Sequence, residues 1–400
     1  MQVNRRSMLK ALGGLLAAGT AASTQTLAKQ SKRKVALDYL ANDDLLDNDE
    51  LERILQQLEE RYPDRVSVTE IGRSNQDRPI YAVSIGAKNE KQCPETTDVM
   101  AIGQQHGDEM ISSAEGLLSV AQHLASKKGQ AKKLLSEVTV HIVPRVNPDG
   151  FVARQRYNVD TDAPARGEGD DIFGGDAGFY TAGEEGIGWD INRYHWPDWT
   201  ESNLYNNLPD EYPENPVPEA RAVLNATEEI DPEWIVDYHR QGAYTTDPDA
   251  TFDPENPGEA YERDTYPPDP DASGGGDVVT SSLFWPINDG VTEETQNLSK
   301  QIISVMYDEL TEFDQSTVSR YPGGTYAGIA RNGYGLAGYG SVLYELSTGT
   351  LGDREFRVQQ VFTSLLGAVK ATATGSLYDV DPGSVSKLPE RETDSFTIEE

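Results

Sequence analysis

Apolar residues recur along the chain at two different spacings, and each spacing predicts a different kind of element. Residues 48–61 carry Leu51, Ile54, Leu55 and Leu58 three to four positions apart, which places them on one face of a helix. The same period predicts helices over residues 110–125, 218–230, 292–313 and 357–372. Alternation with period two, or a short apolar run, predicts strands over residues 66–72, 80–86, 99–103, 138–143, 234–238 and 341–346. These elements alternate, which predicts an α/β fold: a single domain with a mixed central β-sheet flanked by helices.

Polar segments interrupt and end this pattern. We expect the domain to span residues 38–372, with acidic loop insertions rich in Gly and Asp at about residues 160–188 and 243–281. Residues 373–400 form a polar, acidic tail, which we expect to be disordered because it has few apolar side chains to bury.

The N-terminal segment has the features of an export signal in the expected order. Arg5 and Arg6 precede an apolar run over residues 9–22, and small residues follow at a plausible cleavage site. The run is shorter than the roughly 20 residues that a membrane span needs, and we expect no span elsewhere. We therefore predict a twin-arginine signal over residues 1–28, a linker over residues 29–37 and a secreted mature protein.

Charge narrows the range of partners. The 400 residues include 67 Asp and Glu against 34 Lys and Arg, a formal net charge of −33. Phosphate binding needs a basic surface, so we expect no nucleic-acid partner. The acidic residues are spread along the chain, which favours adaptation to concentrated salt, where charges are screened within a few ångströms. An ordinary acidic secreted protein and weak calcium binding by the acidic loops remain alternatives.

Four polar motifs lie at or just beyond the ends of predicted strands: His106-Gly107-Asp108-Glu109, Asn147-Pro148-Asp149-Gly150, His239 and Glu345. Since α/β sheets bind ligands beyond the carboxyl ends of their strands, these motifs are expected to share one crevice. A catalytic zinc ion takes three protein ligands and leaves a position for water, and His106, Glu109 and His239 would complete such a set. Glu345 would then be a free carboxylate, available as a base.

Other interpretations exist for these residues. His106 and Glu109 also suit a solvated turn, although a turn does not explain His239, and Glu345 also suits a buried residue paired with an arginine. Cys93 is the single cysteine, which excludes an intramolecular disulfide and a zinc–thiolate cluster.

The motifs, taken in order, resemble those of the zinc metallocarboxypeptidase family over about residues 38–369. They are Tyr62-Pro63, Ile71-Gly72-Arg73-Ser74, Arg78-Pro79-Ile80, the His106–Glu109 pair, Asn147-Pro148-Asp149-Gly150, Arg156-Tyr157-Asn158, Gly188-Trp189-Asp190-Ile191-Asn192-Arg193, Asp237-Tyr238-His239 and Tyr344-Glu345-Leu346. Each motif is weak alone, so the resemblance depends on their order and spacing. It implies the zinc carboxypeptidase fold, one zinc ion per chain and removal of residues from the C-termini of peptides or proteins.

The resemblance also implies a role for each matched residue. His106, Glu109 and His239 would bind zinc, and Glu345 would act as general base and then as general acid. Arg156 would polarise the scissile carbonyl, which suits a side chain that is always charged.

Three further residues match the family's substrate-binding and supporting positions. Asn192 and Arg193 match the pair that binds the substrate's C-terminal carboxylate, which an arginine can bind in bidentate fashion. Asp190 matches the carboxylate that orients the first zinc histidine. Arg154 lies two positions before Arg156 on what we interpret as an extended strand, so it is an alternative to Arg156.

The long segment between His239 and Glu345 departs from the family pattern and obscures the specificity pocket. A tyrosine of this segment is expected to close over the substrate, and Tyr326, Tyr321 and Tyr334 are all candidates. We expect two of the other histidines to be structural: His123, on a helix, and His141, in a strand. His195 is expected either to line the crevice or to lie on the surface.

The predicted partner is therefore the free C-terminus of a peptide, acted on by a monomer. The acidic insertions suggest a preference for basic or neutral C-terminal residues. Two other functions remain open: a related zinc amidohydrolase or deacylase, and a catalytically inactive peptide-binding module of the same fold.

Overall fold

The structure is a computed structural model, and it describes residues 46–86, 96–109, 113–126, 130–164, 187–246, 277–312, 316–321, 323–347 and 354–392. The predicted signal and linker, Cys93, most of both acidic insertions and the last eight residues lie outside this part of the chain. No helix in the described part is both long and apolar enough to cross a bilayer.

Eight strands of the described residues form one mixed sheet. They are β1 (Val66–Arg73), β2 (Pro79–Ile85), β3 (Thr97–Gly103), β4 (Val138–Val143), β5 (Trp234–Gln241), β6 (Ser281–Phe284), β7 (Val318–Arg320) and β8 (Gly340–Ser347), in the spatial order β1-β2-β4-β3-β5-β8-β6-β7. The four central strands β4, β3, β5 and β8 are mutually parallel, so their carboxyl ends lie at one edge. Antiparallel pairs flank them on both sides.

The described helices are α1 (Asn48–Arg61), α2 (Ser113–Ser126), α3 (Gln130–Leu134), α4 (Pro148–Ala153), α5 (Asn203–Asn207), α6 (Pro218–Ile230), α7 (Glu293–Thr311), α8 (Ala330–Leu336) and α9 (Arg354–Thr374). Their ends follow local chemistry. In α1, Asp47 and Glu50 form a reciprocal capping box, and in α6, Pro218 occupies the first turn, where a missing N–H costs nothing.

The sheet is buried on both faces. Along β3, Val99 and Ala101 pack into an apolar cluster with α1, α2, α7 and α9, whereas Met100 and Ile102 pack into a second cluster with α6 and α8. Successive strand residues point to opposite faces, so a central strand covered on both sides has a continuous apolar sequence. The predicted α/β architecture, with a mixed central sheet flanked by helices, is confirmed.

The structure corrects the prediction of a disordered tail. Two 3₁₀ turns, Ser376–Asp379 and Pro382–Lys387, continue the chain beyond α9. Leu377, Val385 and Leu388 are buried in the first apolar cluster. These apolar residues anchor an otherwise polar segment, and hydrogen bonds from Gln301 to Val380 and from Arg320 to Leu388 hold it as well.

A second correction concerns the segment that leads to Arg156. Residues 148–153 form helix α4 instead of an extended strand, because Asn147 caps the helix by accepting a hydrogen bond from the N–H of Gly150 (2.7 Å). Arg154 ends this helix in the left-handed region (φ 54°), and its side chain is exposed. Arg154 and Arg156 therefore do not share a strand face.

Candidate metal centre

Three buried side chains converge at the carboxyl edge of the sheet. His106 and Glu109 follow β3, His239 lies in β5, and one ligand atom from each falls within 4.8 Å of the others. Nδ1 of His106 lies 2.7 Å from Oε1 of Glu109, and Nδ1 of His239 lies 3.1 Å from Oε2 of Glu109. The two Nδ1 atoms are 3.0 Å apart. This is the cluster that the sequence predicts as a metal site.

The outer nitrogens of the two histidines show that this donor set fits a zinc ion. Nε2 of His106 lies 3.1 Å from Oδ1 of Asp190, and Nε2 of His239 lies 2.8 Å from Oδ2 of Asp237. A carboxylate accepts a hydrogen bond only from a protonated nitrogen, so in the neutral form of each ring Nε2 carries the proton and Nδ1 has its lone pair for the centre. Two facing lone pairs and a carboxylate repel one another unless a cation lies between them. Two His and one Glu are a ligand set that zinc takes.

The electrostatic field of the centre favours a dication. Burial alone would raise the pKa of Glu109, but His106 and His239 outweigh it and hold that pKa well below its usual range. Burial lowers the pKa of His239, whereas Asp237 and Glu109 raise it well above its ordinary value. A metal ion needs the neutral imidazole, so the ion has to displace a proton here, and its binding should weaken as the pH falls.

Asp237 is a residue that the sequence analysis did not assign to the site. It lies two positions before His239 in β5, so both side chains point to the same face. Asp237 also accepts a hydrogen bond from Nε2 of Gln105 (2.6 Å). The two-residue period of a strand is the signal that could have identified it.

A line of buried hydrogen bonds continues behind Asp237. Oε1 of Gln105 accepts a hydrogen bond from Nε2 of His195 (2.5 Å), and Nδ1 of His195 accepts one from the hydroxyl of Tyr334 (2.9 Å). Burial lowers the pKa of His195 to about 4, which agrees with a neutral ring that donates at one nitrogen and accepts at the other. His195 thus lies neither on the surface nor in the open crevice.

Replacement of Asp237 by alanine should weaken zinc binding by about 10–100-fold, because His239 would lose the partner that fixes its tautomer and orientation. Competition with a chromophoric chelator measures this change. Asp98→Ala is the matched control, since Asp98 accepts a hydrogen bond from a histidine outside the centre, His141 (2.8 Å). Equal zinc affinity in both variants would contradict the assignment.

Two arginines lie beside the centre and share one carboxylate. Nε of Arg156 donates to Oδ2 of Asp190 (2.9 Å), and its Nη1 lies 3.7 Å from Oε1 of Glu109. Nη2 of Arg193 lies 3.9 Å from the same oxygen of Asp190. Burial raises the pKa of Asp190, but the two arginines outweigh it and hold that pKa well below its usual range. Asp190 therefore orients His106 and fixes the cations next to it.

Asn192 connects the centre to helix α8. Its Oδ1 accepts a hydrogen bond from the N–H of Ala330 (2.8 Å), and its Nδ2 lies 3.4 Å from Nε2 of His239. The carbonyl of Asn192 accepts a hydrogen bond from Nη1 of Arg193 (2.7 Å). Asn192 and Arg193 are therefore positioned together beside the His106–Glu109–His239 cluster.

Glu345 lies on β8 directly opposite His239 in the parallel register, so it belongs to the same edge of the sheet. Its side chain is half-buried, and Oε2 has no hydrogen-bond partner in the described part of the chain. Burial raises the pKa of Glu345 to about 7, with Glu109 acting in the same direction and both histidines against it. Among the described residues, no arginine forms an ion pair with Glu345. The alternative interpretation, a buried glutamate paired with an arginine, therefore does not agree with the structure.

The structure narrows the choice of tyrosine. Tyr334 is buried and bonded to His195, which removes it from the candidates for closure over a substrate. Tyr326 is half-buried and its hydroxyl accepts a hydrogen bond from Nε1 of Trp196 (3.3 Å). Tyr321 lies under the guanidinium of Arg391, with 4.4 Å between Cζ and the ring centroid. Tyr326 and Tyr321 remain candidates.

The Asn147-Pro148-Asp149-Gly150 motif holds the His106 loop in place. Nδ2 of Asn147 donates to the carbonyls of Gln105 (3.0 Å) and Tyr157 (3.1 Å). A Cβ on Gly107 would lie 1.9 Å from the carbonyl carbon of Gly150, so the two backbones touch. Glycine at 107 allows the His106 loop, helix α4 and the segment that carries Arg156 to pack together.

Comparisons with known proteins agree with this geometry. The model of the zinc carboxypeptidase family, Peptidase M14, matches residues 51–321, which is more than half of the chain and ends before Glu345. Carboxypeptidase E of Caenorhabditis elegans is 32% identical over 106 residues, 26% of this chain and 22% of that protein. The catalytic chain of carboxypeptidase N of Rattus norvegicus is 26% identical over 190 residues, 44% of this chain and 38% of that protein. The matches thus span less than half the length of these curated relatives.

A solved structure supports the fold over a greater length. Carboxypeptidase A of Helicoverpa armigera superposes with a TM-score of 0.57 at 18% identity, over 88% of this chain and 81% of that chain. At that identity the similarity shows the fold alone. The family match and the His106–Glu109–His239 cluster together confirm the prediction of zinc as the cofactor. The chain belongs to the zinc carboxypeptidase family, Peptidase M14.

Proposed function

We propose that this chain is a zinc metallocarboxypeptidase that hydrolyses C-terminal peptide bonds, is exported by the twin-arginine pathway and is adapted to high salt. One observation carries the enzymatic part of the proposal. Glu345, a carboxylate whose Oε2 has no hydrogen-bond partner, lies opposite His239 at the edge that also holds two arginines. An inactive peptide-binding module does not need a free carboxylate at that position.

Each residue has a distinct part in this reaction. His106, Glu109 and His239 hold the zinc ion, which when bound supplies Lewis acidity to the carbonyl and to water. Arg193, with Asn192 beside it, binds the free α-carboxylate of the substrate and so selects the last peptide bond.

Two charged side chains then act on the reacting atoms. Arg156 stabilises the negative charge that develops on the scissile carbonyl oxygen. Glu345 accepts a proton from the attacking water and delivers it to the leaving amine.

The proposals of twin-arginine export and of adaptation to high salt are supported by the sequence. The paired arginines, apolar run and cleavage site of residues 1–28 support export, and a folded metalloprotein is a suitable cargo for the twin-arginine route. A formal charge of −33 spread along the chain supports salt adaptation, because strong screening relieves self-repulsion. In the test below, activity that rises with KCl concentration would agree with this component, and full activity in dilute buffer would contradict it.

The test is a peptide panel in which each peptide has either a free or an amidated C-terminus. We expect stepwise loss of residues from free ends alone, because only a free carboxylate can bind to Arg193. The zinc-loaded chain is assayed by mass spectrometry over a series of KCl concentrations, with and without a chelator that removes zinc.

The outcomes separate the proposal from the other two functions. If amidated peptides are cleaved as fast as free ones, or if acyl amides are hydrolysed and peptides are not, the chain is a zinc amidohydrolase instead. Binding without any turnover by the zinc-loaded chain would indicate a peptide-binding module. Activity that persists after the chelator has removed the zinc would contradict the metal-dependent mechanism.

A further inference from the structure

Arg331 is a buried cation with unused donors. It is the second residue of α8, and its side chain is 2% exposed. Nη2 donates to the carbonyl of Gly324 (2.7 Å), whereas Nε and Nη1 have no hydrogen-bond partner in the described part of the chain. No carboxylate of the described residues lies within ion-pair distance of it.

A buried guanidinium in this state is costly, since it has left water without gaining an anion. Burial lowers the pKa of Arg331 to about 10, with Arg193 acting in the same direction and Glu345 against it. Both of those neighbours are residues of the proposed reaction site. Arg145, another buried arginine, differs from Arg331: its donors bind Gln104, Asn48 and Leu46.

The position of Arg331 relates it directly to the residue that binds the α-carboxylate. The N–H of Ala330, the preceding residue, donates to Asn192 (2.8 Å). A Cβ on Gly328 would lie 2.0 Å from the carbonyl oxygen of Arg193, so this segment packs against the backbone of Arg193. The side chain of a C-terminal residue whose α-carboxylate is held at Arg193 can therefore point towards Arg331.

The groups around Arg331 suit a short acidic side chain. The ring of Phe284 lies 5.8 Å from Cζ of Arg331 and also 5.8 Å from Cζ of Arg391, so it faces two guanidinium groups. Nε of Arg391 also has no hydrogen-bond partner in the described part of the chain. An aromatic ring and two cations favour an anion that carries one or two methylene groups, as aspartate and glutamate do.

We propose that Arg331 binds the side-chain carboxylate of a C-terminal glutamate or aspartate and so sets the specificity of the site. This inference rests on the proposed carboxypeptidase function and names its substrate class. It reverses the preference for basic or neutral C-termini that the acidic composition suggests, because Arg331 keeps two donors without a partner among the described residues although the chain as a whole is anionic. Buried charges are also screened by salt much less than surface charges are.

The first test compares two peptides that differ only in a C-terminal Glu or Gln, with Leu and Lys peptides beside them. Glutamine has the shape of glutamate without its charge, so the ratio of kcat/KM isolates the ion pair. We expect the zinc-loaded wild-type chain to prefer Glu over Gln by about 10–10³-fold, since a site built around a charged donor discriminates strongly. A ratio near one, or a preference for Lys or Leu, would overturn the proposal.

The second test replaces Arg331 by methionine, which keeps much of its length without the charge. We expect kcat/KM for the Glu peptide to fall by about 10–10³-fold and that for the Gln and Leu peptides to change by less than about threefold. Arg331→Lys should retain part of the preference for Glu. Arg65→Met is the matched control, because it removes the same charge at a site where Nη1 donates to the carbonyl of Ala125 (3.0 Å).

Binding of the reaction product keeps the inference testable apart from turnover. The wild-type chain should bind glutamate, the amino acid that this cleavage releases, at least about tenfold more tightly than glutamine, as measured by calorimetry. If no free C-terminus is cleaved, the proposed function fails, whereas cleavage without a Glu preference refutes the role of Arg331 alone. The thermal midpoint and zinc content of Arg331→Met show whether the variant is folded. If it is not, the preference of the wild-type chain for Glu over Gln, in turnover and in product binding, still tests the proposal.

Discussion

Replacement of Glu345 by glutamine is expected to lower turnover of a C-terminal peptide by about 10²–10⁴-fold, because the chain would lose its base. Glutamine has the same size and remains neutral, so it cannot accept a proton from water. Glu345 has the features that this role requires: it lies opposite His239, its Oε2 has no partner, and burial raises its pKa to about 7. A group with a pKa near neutrality can both accept and return a proton.

The zinc content of the variant shows whether turnover is lost because the base is missing or because the metal site is damaged. Glu345→Gln should retain one zinc per chain by metal analysis, since Glu345 is not a member of the His106–Glu109–His239 cluster. Glu109→Gln is the matched comparison, and it should lose zinc and turnover together. Retained activity in Glu345→Gln would place the base elsewhere, and loss of its zinc would make Glu345 a ligand.

The elements that the sequence predicts well are those whose local signals agree with their tertiary contacts. Residues 48–61 combine a helical apolar period with a capping box at Asp47 and Glu50, and the helix has these bounds in the structure. The central strands were predicted from apolar runs, because strands covered on both faces are apolar throughout. The metal ligands followed from the same pattern, since they lie where such strands end.

The elements that were missed have weak local signals. Strand β7 has only three residues, too few to show alternation, and it exists because it pairs with β6. Helix α8 contains Gly333 and Gly335, which disfavour a helix, and it forms because its start is bonded to Asn192. In both cases long-range contacts outweigh local preference.

The same reason explains why the sequence could not indicate Arg331. Its importance comes from burial and from the lack of a partner anion, and both depend on segments distant in sequence, such as the one that carries Phe284. Arg391 lies in the segment expected to be disordered, yet it stacks on Tyr244 at 3.6 Å. Ligands at strand ends follow from the chain's own periodicity, whereas the lining of a pocket follows from how the chain folds back on itself.

Replacement of His239 by alanine is expected to abolish both zinc retention and turnover, whereas His141→Ala should leave both intact. His239 supplies one of three ligand atoms, and its loss leaves His106 and Glu109 as a pair. His141 is the matched histidine: it too is buried in a central strand, but its ring nitrogens contact Ser84 and Asp98 at 2.8 Å each. Zinc content after gel filtration and peptide turnover measure the two effects.

Thermal unfolding then shows whether the cluster binds the ion as a unit. An ion that binds the folded state alone stabilises it by about 4 kcal/mol at a thousandfold excess over its Kd, which corresponds to a midpoint shift on the order of 5–10 °C. A chelator should therefore lower the midpoint of the wild type and of His141→Ala by this amount. It should not change that of His239→Ala, because that variant has no bound ion to lose. Equal chelator shifts in all three proteins would place the metal somewhere other than between His106, Glu109 and His239.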